Sequence, residues 1–133
     1  MTSASTAPSF KVLVVEDSPQ VRDRLLDMLG SIDGVDPIGS VDRADAAVAQ
    51  ILAELPDAVI LDITLAQGSG IDVLRAAHAA APEVEFWVHT NSAGEPYRAL
   101  CRRLGATQFF DKSRDFERMR DSIAARAAQR RIH

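Results

Sequence analysis

The chain has 133 residues, of which 47% are hydrophobic and 26% charged, with a net charge of −4. That length suits one domain with its own core, and the composition excludes disordered and membrane-embedded classes. The acidic balance excludes a general affinity for nucleic acid, and a single cysteine, Cys101, excludes an internal disulfide and suits a reducing compartment.

Residues 1–9 lack the basic start and apolar stretch of a secretory signal, and no later run approaches membrane-spanning length. We therefore expect a cytoplasmic protein with a disordered leader over 1–9, one domain over 10–124, and the end of the last helix with a tail over 125–133. Phe10 to Val15 is an apolar run ending abruptly in Glu16-Asp17. Strand, acids, then helix is the natural parse, with Ser18 as cap and Pro19 in the first turn. Val21, Leu25, Met28 and Leu29 recur at helical spacing, and Gly30 to Gly34 closes that helix.

Ile38 to Val41 reads as a strand suited to a sheet edge, given Pro37 and Gly39. Asp42 or a neighbour is expected to cap the next helix, whose stripe is Ala44, Ala47, Val48, Ile51, Leu52 and Leu55 before Pro56 ends it. Val59-Ile60-Leu61 is a buried strand that delivers a lone carboxylate, Asp62, to a glycine-bearing loop. Ile71, Leu74, Ala77, His78 and Ala81 mark a third helix, closed by Pro82. Glu85 to His89 is a fourth strand leading into Thr90-Asn91, and Ser92-Ala93-Gly94-Glu95-Pro96 is a turn.

Tyr97, Leu100, Cys101 and Leu104 form the expected buried side of a fourth helix, stopped at Gly105. Gln108-Phe109-Phe110 is a fifth strand before Asp111-Lys112. The last helix starts near Asp115 and turns Phe116, Met119, Ile123 and Ala127 inward, while Arg126, Arg130 and Arg131 read as a solvated helix end. Strands and helices alternate five times, which implies an α/β fold with a parallel sheet, right-handed crossovers and helices on both faces.

Glu16-Asp17, Asp62, Thr90-Asn91 and Lys112 all follow the last residues of different strands. Parallel strands end on one edge, so these groups converge, in the region where open α/β sheets bind ligands. Taken alone, Asp62 reads equally well as a cap on a backbone turn. Three carboxylates roughly 5 Å apart repel by about 3 kcal/mol per pair at an effective dielectric near 20. Lys112 offsets part of this, and a hard divalent cation such as Mg2+ suits the rest. An Asp62 neutralised in this way could attack a phosphoryl group while Lys112 and the Thr90 hydroxyl hold its oxygens. His78 and His89 have no second histidine or cysteine at ligand spacing, and read as packed or surface residues.

In this order and on these elements, Glu16-Asp17, Ile60-Leu61-Asp62 with Gly70, Thr90, and Phe109 with Lys112 resemble the receiver domain of bacterial two-component response regulators, from about Phe10 to Ile123. The resemblance implies a flavodoxin-like five-stranded sheet of order 2-1-3-4-5 with five helices. It implies Asp62 as phosphoacceptor from a sensor histidine kinase or phosphotransfer protein, with Mg2+ held by Asp17, Asp62 and the backbone carbonyl of Thr64, and by Glu16 mainly through a water. Thr90 and Lys112 would grip the phosphoryl oxygens, Thr90 and Phe109 would form the switch, and Thr64 and Asn91 would tune the lifetime of the phosphorylated state. The family usually has proline at the positions of Ala66 and Ser113, and a small residue where Asn91 stands.

The expectation is then a signalling switch rather than an enzyme, with no output domain of its own. It would act on an unknown output protein or form a homodimer through a face made by the fourth helix, fifth strand and fifth helix, which Arg98, Arg102, Arg103 and Arg118 make basic. Two other classes start from the same acid: an aspartate-nucleophile phosphatase, which would normally have a second acid where Thr64 stands, and an interaction module without phosphorylation.

Overall fold

The computed structural model describes residues 9–91 and 94–132, without the side chains of 131 and 132. Residues 1–8 of the expected leader, Ser92-Ala93 of the expected turn and the side chain of Arg131 lie outside the described residues. The elements alternate as β1 (Phe10–Val15), α1 (Pro19–Gly30), β2 (Val35–Val41), α2 (Ala44–Glu54), β3 (Ala58–Leu61), α3 (Gly70–Ala80), β4 (Glu85–Thr90), α4 (Glu95–Arg103), β5 (Ala106–Asp111) and α5 (Phe116–Ile132). All neighbouring strands pair in parallel, in the order β2-β1-β3-β4-β5. No described helix is long and apolar enough to cross a membrane.

Alternation along the strands splits the core into two layers. Val12, Val14, Ile60, Trp87 and Phe110 face α1 and α5, meeting Leu25, Leu29, Met119, Ile123 and Ala127. Leu13, Val15, Val59, Leu61, Phe86 and Val88 face the other side, against Ala47, Ile51, Leu74, Ala77 and Cys101. Each fully buried Leu, Ile or Val contributes about 1.5–3 kcal/mol, so both layers favour a sheet with helices on both faces. Cys101 packs here as a small apolar residue, and burial pushes its thiol pKa up.

Several expectations need correction. β2 starts at Val35 rather than Ile38, because a bulge admits Pro37: Val12 pairs with Pro37 and Leu13 with Gly39, leaving Ile38 as the extra residue. β5 likewise extends from Ala106 to Asp111. The N-cap of α2 falls on Arg43, the neighbour of Asp42, as expected, but it makes no side-chain cap bond; the Ala44 amide instead donates to the Gln67 carbonyl, 3.1 Å away. Leu52, Leu55 and Tyr97 are exposed rather than buried, since the apolar stripes of α2 and α4 are wider than the sheet beneath them.

Arg126 and Arg130 are each paired with an acid, rather than left without a partner in solvent. Arg126 binds Glu85, with Nε 3.1 Å from Oε2, and Arg130 lies 2.9 Å from Asp57 Oδ1, so both tie α5 to the starts of strands.

Candidate functional site

The polar residues converge because the sheet ladder runs one step past the last apolar residue of each strand. The Glu16 amide donates to the Val41 carbonyl (3.0 Å), that of Asp62 to Val15 (3.0 Å), and that of Lys112 to Thr90 (3.1 Å). Backbone bonds thus carry Glu16, Asp62 and Lys112 to one edge. Together with Asp17, Ser18, Thr64, Thr90 and Asn91 they line a cleft of about 310 Å³. Of the residues expected in the site, only Phe109 does not line the cleft; it packs against the second core layer, on the face of the sheet it shares with Val88 and Thr90.

Inside the cleft, Lys112 is shared. Its Nζ stands 2.9 Å from Asp62 Oδ2 and 2.8 Å from Glu16 Oε1, with a hydrogen bond of 3.1 Å to Glu16 Oε2. Asp62 and Glu16 are buried, and the second oxygen of Asp62, Oδ1, accepts from the Thr64 amide at 3.1 Å. Burial pushes the Glu16 carboxyl above its ordinary range, although the bonds from Lys112 and from the Ser18 amide pull it back. For Lys112, burial acts downward, but the bonds to Glu16 and Asp62 outweigh it and hold the ammonium above the usual lysine value.

Three carboxylates against one lysine leave the cleft two charges short. Glu16, Asp17 and Asp62 each offer an oxygen, and these oxygens lie within 4.8 Å of one another. All are hard donors, so the set fits Mg2+, which prefers a few carboxylate oxygens and several waters.

The loop after Asp62 is folded back on itself. Gly70 donates to Ile63 O at 2.8 Å, and Thr64 bridges Ser69. A Cβ at Gly70 would come within 2.3 Å of the Asp62 carbonyl, so only glycine fits there. Ala66 stands where the resemblance leads us to expect proline, and its amide donates to Asp17 Oδ2 at 2.6 Å. A proline could not make that bond. Ala66 thus ties the loop to a carboxylate of the cleft.

The β5–α5 turn is tied in a similar way. Ser113 stands at the other position where proline is expected, and no described peptide bond is cis, that of Lys112-Ser113 included. Asp111 Oδ1 accepts from the Ser113 amide (2.8 Å) and hydroxyl (2.5 Å), which holds the Asp111 carboxyl below its ordinary range. On the outer face, the Arg98 guanidinium lies 4.7 Å from the Phe109 ring centre, and Arg118 donates to the Phe109 carbonyl at 2.9 Å.

Sequence reasoning passed over His89 as a site neighbour. It is 2% exposed, next to Thr90, and neither ring nitrogen meets a hydrogen-bond partner among the described residues. Burial, with Lys112 and Arg24 nearby, lowers its pKa to about 4. The available signal was its place in a strand whose alternate residues face the core.

The chain matches the response regulator receiver domain over residues 12–124. Among curated relatives, it is 31% identical over 122 residues to a protein-glutamate methylesterase/protein-glutamine glutaminase of Clostridium acetobutylicum, covering 88% of this chain and 35% of that one. It is 32% identical over 102 residues to the DNA-binding transcriptional activator DevR/DosR of Mycobacterium tuberculosis, covering 77% and 47%. The chain thus spans about a third to a half of the curated relatives it matches. Among solved structures, the response regulator domain of Thermotoga maritima CheB superposes with a TM-score of 0.79 at 21% identity, over 94% of this chain and 98% of that one. The CheX-CheY-BeF3-Mg complex of Borrelia burgdorferi gives 0.76 at 23%, over 92% and 94%. At these identities the structures speak for the fold, and they agree with its strand order. The family match runs from β1 into α5 and takes in every residue lining the cleft, so the chain belongs to the response regulator receiver domain family.

Proposed function

We propose that this chain is a phosphorylation-dependent signalling switch, with Asp62 as phosphoacceptor from the phosphohistidine of a sensor histidine kinase or phosphotransfer protein in the cytoplasm. The observation that carries this reading is the convergence of Asp62, Lys112, Glu16, Asp17 and Thr90 on one cleft. An Asp62 oxygen attacks phosphorus, the new O–P bond forms as the N–P bond breaks, and the imidazole nitrogen keeps the electron pair. Lys112 turns from the carboxylates to the phosphoryl oxygens, where the Thr90 hydroxyl adds a hydrogen bond. Asp17, Asp62 and the Thr64 carbonyl would hold Mg2+, with Glu16 acting mainly through a water; the ion would offset the charge shared by acceptor and phosphoryl group. Thr64 and Asn91, both exposed at the cleft mouth, set the lifetime of the acyl phosphate.

As Thr90 follows the new charge, Phe109 turns toward the space it leaves and biases the α4-β5-α5 face. That face is the docking surface for an acidic output protein or a second copy. Its charge is less free than the sequence suggests, because Arg102 pairs with Glu95 at 3.2 Å and Arg118 with Asp115 at 3.3 Å. Arg103 remains exposed and contributes most directly to an incoming partner.

Intact-mass analysis after incubation with Mg2+ and acetyl phosphate tests the central step. One base-labile phosphate is expected on the wild type and none on Asp62→Asn. A wild type that stays unmodified with acetyl phosphate and with phosphoramidate would overturn the reading.

A further inference from the structure

A lysine on a four-carbon stem is a poor fixed point, so the ammonium is placed only as well as the backbone beneath it. In this chain, that backbone is pinned on both sides of Lys112. Before it, the Asp111 amide donates to Asp115 Oδ2 at 2.8 Å; after it, the Ser113 amide and hydroxyl both donate to Asp111 Oδ1. The Asp115 amide returns to the Asp111 carbonyl at 3.0 Å, and Arg118 braces Asp115. The result is a closed turn centred on Lys112, made from side chains that take no part in the cleft, since neither Asp111 nor Ser113 lines it.

We propose that Ser113, acting through Asp111, is a positioning residue that holds the Lys112 ammonium over Asp62 and Glu16. Hydrogen bonding here supplies the stiffness that a proline ring would otherwise give. The consequence for phosphoryl transfer rests on the reading given above, in which Lys112 grips the phosphoryl oxygens. Hydroxyl and amide donate to the same carboxylate oxygen, so removal of the hydroxyl leaves one bond of two and loosens the turn without deleting it.

The test uses the full chain with acetyl phosphate and Mg2+. Ser113→Ala is expected to slow phosphorylation roughly tenfold, within the range that a misplaced group produces, and Ser113→Thr to restore it. In a Lys112→Ala background, Ser113→Ala should slow it no further, because a residue that acts through Lys112 has nothing left to act on. A second readout requires no phosphoryl transfer. The Lys112 ammonium protons, held by Glu16 and Asp62, should give a slowly exchanging cross-peak in the nitrogen-proton NMR spectrum that Ser113→Ala loses and Ser113→Thr keeps. An unchanged cross-peak in Ser113→Ala, or equal slowing with and without Lys112, would overturn the proposal. A wild type that takes no phosphate but loses the cross-peak on Ser113→Ala would refute the phosphorylation reading and support the positioning role.

Discussion

The two ends of the sheet treat charge in opposite ways. At the starts of the strands, acids and bases are matched: Glu85 takes Arg126 and the Trp87 Nε1–H, while Asp57 takes Arg130 and the Lys11 amide. At the finishing edge, Glu16 and Asp62 share Lys112, and Asp17 adds a third carboxylate that has no cationic partner among the described residues of the cleft. The first arrangement is complete and holds the fold together. The second is left unbalanced, and an unbalanced acidic cluster suits a cation. Ion pairs alone therefore do not distinguish the two ends; the charge deficit does.

The sharpest way to probe the contrast is with acid, through His89. Its pKa of about 4 in the fold lies below the 6.5 of an unperturbed histidine. The unfolded chain therefore takes up the proton first as pH falls. Stability is undiminished above about 6.5, declines below it and levels off below about 4, a loss of about 3 kcal/mol. Urea melts of wild type and His89→Leu across this range should diverge by that amount, the variant losing less. Parallel curves would mean that burial beneath the finishing edge does not keep His89 neutral.

A smaller effect is expected at the other end. Glu85→Ala strips Arg126 and the Trp87 indole of their acceptor, at a cost of about 2 kcal/mol in chemical denaturation. The rate of Asp62 phosphorylation should stay within twofold of wild type, roughly the additivity expected of separated sites. A large rate loss would break the division between the two ends.

The smallest effect has the opposite sign. Asp17→Asn keeps an acceptor for the Ala66 amide and removes one charge from the crowded cleft, so it should stabilise the fold by about 1 kcal/mol without Mg2+. Saturating Mg2+ should cancel the gain, because the wild type then has the cation that the variant needs less. A destabilised Asp17→Asn in chelator would show that the cleft is not short of positive charge.

Much of this was legible in the chain. Val59-Ile60-Leu61 could only be a buried strand, and the acids, threonine and lysine each follow such a run, so parallel pairing alone brought them to one edge. What stayed hidden depended on distant partners or on width. Nothing local ties Arg126 to Glu85, 41 residues away, and a basic run at a helix end is most often solvated. Tyr97, Leu52 and Leu55 fit their helical stripes, yet the sheet does not reach them. Ser113 read only as a missing proline, although an aspartate two residues before a serine is itself a turn signal.

The pinning of α5 has a mechanical consequence. The helix is 17 residues long, and Arg126 and Arg130 fasten its far half to the bottom of the sheet. Its near end follows directly from the turn that carries Lys112. At 1.5 Å per residue, Phe116 stands roughly 15 Å from the fastening at Arg126. The near half is held too, by Arg118 on the Phe109 carbonyl and by Met119 in the core, so a shift of the turn must strain those contacts before it can move the helix. Both halves of α5 are thus tied to the sheet, and the helix acts as a splint for the turn that carries Lys112.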